Sequence, residues 1–181
     1  MSAAASSPHS WKKRPQPSEW ADGYPFHRPE RSFFLGGADE GPLPASAPIL
    51  AYGANASPEA LGRKLPGARV AALAGTLRGW AVVHSAHLSP YGAVPATLVE
   101  QPGAEIAVHV LYTDESRTRL DATEPNYRRL WLRGVELVVD RVGALDAVEA
   151  YVSRHGPLVI DGATVPLGSR PQAELRAAVG G

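Results

Sequence analysis

The stretch Pro48-Ile49-Leu50-Ala51-Tyr52-Gly53-Ala54-Asn55-Ala56-Ser57-Pro58 passes from a β-like run through a turn into a helix start. Ile49 to Tyr52 reads as a short strand and Gly53 to Ala56 as the turn after it. Ser57 is placed to N-cap a helix. Pro58 takes its first position, where a missing N–H costs nothing, and Leu61 and Leu65 lie one turn apart on a single face. Gly53 and Asn55 both accept positive φ, so successive backbone N–H groups can converge into a nest suited to a carboxylate or a developing oxyanion. Taken alone, Tyr52-Gly53-Ala54-Asn55 is also what an ordinary strand-to-helix turn looks like.

Downstream, Arg69 to Leu77 and Trp80 to Ala86 are β-like runs with Arg78-Gly79 as the expected hairpin turn. Pro95 to Glu100, a turn at Pro102-Gly103, and Glu105 to Tyr112 follow with strand character. Thr113 is the expected cap of a helix opening at Asp114-Glu115 and limited by Pro125, since the residue before proline resists the α conformation. Leu130 to Val142 and Ala147 to Val152 supply further strands. Ser169-Arg170-Pro171-Gln172 resembles a capping box for a last short helix ending near Val179. The pattern is α+β, dominated by strands with two or three helices between them, and it contains no internal repeat.

Upstream, eight of the 17 prolines fall within residues 1–48, together with all three Phe and two of the four Trp. Such proline density predicts an irregular or polyproline-like arm, with a globular domain over residues 49–181. About the first 15 residues read as a free tail. From Trp20 to Leu35 the aromatics predict a strap packed on the domain.

The chain has 181 residues, 18 basic and 18 acidic side chains, and no Cys. One domain with an extension is the natural size, and a net charge of zero supplies no field for a polyanion, so no nucleic-acid partner is expected. Disulfides, thiolate chemistry and Cys-based metal sites are excluded. The N-terminus has no apolar core of a secretory signal and no run approaches a membrane span, so a cytoplasmic chain without a membrane partner is expected.

A second constellation is Leu120-Asp121-Ala122-Thr123-Glu124-Pro125-Asn126-Tyr127-Arg128-Arg129. Leu120 and Glu124 are one turn apart, so a core-facing Leu120 brings Glu124 to the same side at the end of its helix. Partial burial and the negative end of the helix dipole would both raise its pKa towards the range of a general base. A solvated Glu at a frayed helix end is the simpler reading of that segment alone.

Four segments in register, Tyr52-Gly53-Ala54-Asn55, Gly92-Ala93-Val94-Pro95-Ala96-Thr97, Leu120 to Arg128, and Ala150-Tyr151-Val152, resemble the γ-glutamylcyclotransferase-like family, which includes the plant AIG-type proteins. The resemblance spans about residues 49–155. It implies a small mixed β-barrel with two or three helices packed against it. It also implies a cyclotransferase that converts a γ-glutamyl amine or peptide to 5-oxoproline and the free amine, without metal or cofactor. Carried over, Glu124 is the general acid-base, and Tyr52, Gly53, Ala54 and Asn55, with Tyr127 and Tyr151, bind the small-molecule γ-glutamyl substrate. Ala54 stands where the family usually has Ser, and Val108 where a strand glycine is usual, so a narrowed pocket is expected there.

Of the histidines, His84 and His87 are three apart in an expected strand and face opposite sides, which makes them poor joint metal ligands. Either can line the pocket mouth with Ser85, Ser89 and Tyr91. Arg128, Arg129 and Arg133 read as a solvated strand end. A non-catalytic small-ligand or partner-binding module on the same pocket is the alternative function, a partner-binding role for the arm is a third, and the oligomeric state is left open.

Overall fold

The computed structural model describes residues 19–180. The expected free tail, Trp11 included, lies outside them. In chain order the elements are α1 (Glu19–Asp22), β1 (Phe33–Leu35), β2 (Ile49–Ala51), a 3-10 turn (Ala54–Ala56), α2 (Pro58–Lys64), β3 (Val70–His84) and β4 (Ala96–Thr113). They continue with α3 (Arg117–Ala122), β5 (Tyr127–Val139), β6 (Gly143–Ser153), β7 (Val159–Ile160), β8 (Ala163–Thr164) and α4 (Gln172–Gly180).

Strands β3, β4, β2, β6 and β5 follow one another around a ring, and β5 returns to pair with β3, so five strands close into a mixed barrel. The β2–β6 pair is parallel and the other ring pairs are antiparallel. At the seam the edge of β3 is divided between two partners. Val70, Ala71 and Ala72 pair with β1, Gly75 to Arg78 pair with β5, and between them Ala74 donates to Ser32 Oγ and accepts from the Asp140 amide.

Two expected turns are bulges inside long strands. β3 runs unbroken through Arg78-Gly79, and its register against β4 shifts between Arg78 and Trp80 where β4 carries Pro102-Gly103. Gly79 and Gly103 both have positive φ, 78° and 82°. Glycine in that conformation serves a bulge as readily as a hairpin, so local sequence does not separate the two. The third helix starts at Arg117, later than expected, because Ser116 outcompetes Thr113 as cap: its Oγ accepts the Arg119 amide at 3.2 Å. At α4 the capping-box reading fails. Gln172 is buried and turns away to bond Val94, accepting from its amide at 2.7 Å and donating to its carbonyl at 3.2 Å.

Alternation along β2 sorts the core. Leu50 joins Leu73, Val110, Leu137, Val148 and Ala150 in one buried cluster, while Ile49 and Ala51 join Leu61 of α2, Leu65 at its C-cap and Leu120 of α3 in another. Full burial of each of these leucines is worth roughly 1.5–3 kcal/mol. Leu61, Leu65 and Leu120 therefore anchor the two helices that frame the site. Trp20, Tyr24 and Phe26 of the N-terminal segment pack on the first cluster. The segment is thus not wholly irregular: α1 and β1 interrupt it, and β1 is hydrogen-bonded into the sheet.

Candidate active site

The end of β2, the start of β4, the start of β5 and the end of β6 converge on a cavity of about 390 Å³. It is lined by all seven residues that the family resemblance assigns to the site, Tyr52, Gly53, Ala54, Asn55, Glu124, Tyr127 and Tyr151, but not by Ser85. Glu124 follows the end of α3 and is only 9 % exposed. Its Oε1 accepts from Lys64 Nζ at 2.6 Å and from Asn55 Nδ2 at 2.9 Å, and Lys64 Nζ also donates to Asn55 Oδ1 at 2.9 Å. The three side chains close a ring in which the lysine can only donate and the carboxylate accepts, so the asparagine amide has one sensible orientation. The burial expected of Glu124 is found, at the end of its helix. Beyond that expectation, an ammonium is set against it.

Lys64 was not legible in the sequence. It sits nine residues from Asn55 and sixty from Glu124, and at the last turn of α2 its only local signal is that a cation suits a helix C-terminus.

The Tyr-Gly-Ala-Asn turn is not built on positive φ. Gly53 has φ −119° and Ala54 to Ala56 form the 3-10 turn, whose bonds use the amides of Ala56 and Ser57. The amides of residues 53–55 take no part in those two bonds, and all three residues line the cavity. Space at 53 is tight for any side chain. A Cβ there would lie 3.0 Å from Tyr24 Oη and 3.1 Å from Ala96 Cβ. Tyr24 is held in that place by accepting the Ala96 amide at 2.8 Å. The strap and the turn are therefore packed against each other, a relation invisible in either segment alone.

All three site tyrosines spend their hydroxyls on the protein. Tyr52 donates to the Tyr151 carbonyl, Tyr127 to the Ala96 carbonyl at 2.8 Å, and Tyr151 to Asp121 Oδ1 at 2.8 Å. Burial raises the pKa of each. For Tyr52 the charge of Glu124 is the next cause in the same direction. They stay protonated and act as fixed walls.

Asp121 explains a further part of the motif. It accepts from Arg129 Nε at 2.9 Å as well as from Tyr151, and the Arg129 guanidinium holds its carboxyl below the usual carboxylate range. Arg129 continues to Glu149, which is buried and also forms an ion pair with Arg117, Nε to Oε2 2.7 Å. Arg129 is thus a structural tether between α3, β5 and β6, not the solvated strand end expected of it.

His87, Ser89 and Tyr91 line the cavity. Tyr91 is pushed up to about 12 by burial, with Glu124 adding to the shift. His87 is stacked on His155 at 4.6 Å between centroids, and burial and then that neighbour push its pKa down to about 4, so it is neutral. His84 lies elsewhere, fully buried, with Nε2 accepting the Gly168 amide at 3.0 Å and Nδ1 3.0 Å from the Val94 carbonyl. Val108 is buried in the barrel core and does not line the cavity, so the expected narrowing by its side chain does not arise. Trp20 supplies a wall, stacked on Phe26 at 4.2 Å and covered by the Arg63 guanidinium at 5.2 Å. The aromatic excess of the arm was its signal in sequence. Among the described residues no group of three or more His, Asp or Glu is arranged to hold a metal ion, and no helix is long and apolar enough to cross a membrane.

The fold and site together define a small mixed β-barrel with an ion-paired glutamate at the rim of an aromatic cavity. The chain is similar to a solved γ-glutamyl cyclotransferase at 15% identity and a TM-score of 0.48, over 74% of this chain and 77% of that one. It is similar to a human protein described as uncharacterized at 16% identity and a TM-score of 0.48, again over 74% and 77%. An Arabidopsis thaliana protein solved in solution is similar at 18% identity and a TM-score of 0.43, over 60% of this chain and 68% of that one. No family model and no curated protein matches the chain.

Proposed function

We propose that the protein is a cyclotransferase that releases 5-oxoproline and a free amine from a γ-glutamyl amine or peptide, with Glu124 as general acid-base. The observation that carries the reading is the Asn55–Lys64–Glu124 cluster, which presents a buried, oriented carboxylate to a cavity that residues 53–55 also line. Glu124 takes a proton from the α-ammonium of the substrate. The freed amine attacks the γ-carbonyl carbon, forming the ring C–N bond and a tetrahedral oxyanion beside the amides of the turn. The bond to the departing nitrogen then breaks. In all, two protons pass from the α-nitrogen to the departing one, each by way of the carboxylate.

Ring closure within one molecule supplies roughly 7–11 kcal/mol of barrier reduction once the chain is correctly folded, so a single acid-base group suffices. That group adds about 10²–10⁴ in rate. The test is incubation with a panel of γ-glutamyl amines and dipeptides, with 5-oxoproline read by mass spectrometry. Glu124→Gln keeps the shape and loses the base, so its rate should fall by about 10²–10⁴. An unchanged rate, or no 5-oxoproline from any member of the panel, overturns the reading.

One observation favours a non-catalytic binding module as the second reading: Glu124 already has a cationic partner, Lys64. On that reading a γ-glutamyl compound raises the melting temperature and is recovered intact.

A further inference from the structure

We propose that Lys64 is a specificity-determining residue that binds the α-carboxylate of the ligand's amino-acid head group, a role that rests on the reading above that this head group enters the cavity. Lys64 Nζ has three N–H donors, and two are spent, on Glu124 Oε1 and Asn55 Oδ1. One donor and the positive charge remain at the cavity wall, to which Lys64 belongs.

An α-amino acid carries its ammonium and carboxylate on a single carbon. A ligand whose ammonium docks on Glu124 therefore brings its carboxylate into the same neighbourhood. Without a cation there, that carboxylate would face Glu124 as a like charge at low exposure, where repulsion is poorly screened. Lys64, 2.6 Å from Glu124, is the cation in place. The other cation lining the cavity, Arg63, is committed to Glu59 at 2.9 Å and to the face of Trp20.

The site and the zwitterion are then complementary. Two opposite charges held side by side by the protein meet two opposite charges on the ligand, in the pairing lysine to carboxylate and glutamate to ammonium. This assigns the α-carboxylate to Lys64 and leaves the amides of residues 53–55 for the γ-carbonyl oxygen. Recognition in this form requires both charges of the head group, and a ligand with its α-carboxylate masked loses one of the two contacts.

The experiment uses O-ethyl-L-homoserine, which has the head group but no γ-carbonyl to attack, and its α-carboxamide. Binding of both to the full chain is measured by calorimetry. The wild-type protein should prefer the acid at least tenfold. Lys64→Met should bring the two within about threefold, and Lys64→Arg should recover part of the preference by restoring the charge. Lys64→Gln, which keeps a hydrogen-bond donor without charge, is the second neutral variant if Lys64→Met melts abnormally, and it should behave as Lys64→Met. A tenfold preference that survives in the neutral variant overturns the proposal. So does a wild-type protein that binds both compounds alike or binds neither. Release of 5-oxoproline is scored separately: its absence with the preference intact overturns the cyclotransferase reading and supports Lys64, and turnover without the preference does the reverse.

Discussion

His87 illustrates what a single residue contributes when its environment is fixed by the fold. Its pKa is pushed down to about 4, first by burial and then by His155, whereas in an unfolded chain it titrates near 6.5. Between those values the unfolded chain binds more protons, so stability rises with pH across that window and is lost as pH falls through it. His84 and His109 are also lowered by burial and act in the same sense. The melting temperature should therefore fall between pH 7 and pH 4.5, and His87→Gln should flatten that slope. A melting temperature independent of pH over this range would show that His87 is not held neutral. Residues of this kind divide by how local their reasons are. Tyr52, Asn55 and Glu124 were reached through the resemblance of four segments in register, since each segment alone also reads as an ordinary turn or a solvated helix end. Lys64 and Tyr24 were not, because each acquires its meaning from a partner sixty or more residues away.

At the scale of elements, the barrel depends on how closely β5 approaches β3. Gly75 pairs with Val108 on one side and Val139 on the other, and a Cβ there would lie 2.7 Å from the Val138 carbonyl oxygen. A backbone atom cannot swing aside as a side chain can. Gly75→Ala should cost about 1–3 kcal/mol in chemical denaturation, the usual toll of overpacking. No change would mean that the seam is looser than drawn. The strands themselves were legible as runs, but their lengths were not. Glycine-containing breaks at residues 79 and 103 punctuate a hairpin and a bulge alike, and the choice between them is made by the facing strand. Helix α3 was legible in existence and displaced at its start, since two possible caps, Thr113 and Ser116, stand three residues apart.

At the scale of the whole molecule, the N-terminal segment is part of the working structure. Tyr24 and Phe26 are buried, and Tyr24 and Trp20 line the cavity. Burial of two such rings is worth roughly 3–6 kcal/mol. Deletion of residues 1–35 should lower the melting temperature by on the order of 10 °C for a chain of this size. An unchanged value would make the strap dispensable. Aromatic content announced that this segment packs, but closure of the ring through a β3–β5 pairing sixty residues apart has no local signature.

The divided edge of β3 carries a consequence beyond stability. Along Val70 to Arg78 the seam is occupied in turn by β1, by Ser32 and Asp140, and by β5. Removing β1 would bare a row of backbone donors and acceptors flanked by apolar residues, the kind of template onto which a strand of another molecule adds. The N-terminal segment thus doubles as protection against aggregation, and a chain shortened past Leu35 has lost its guard against self-association along with part of its cavity wall.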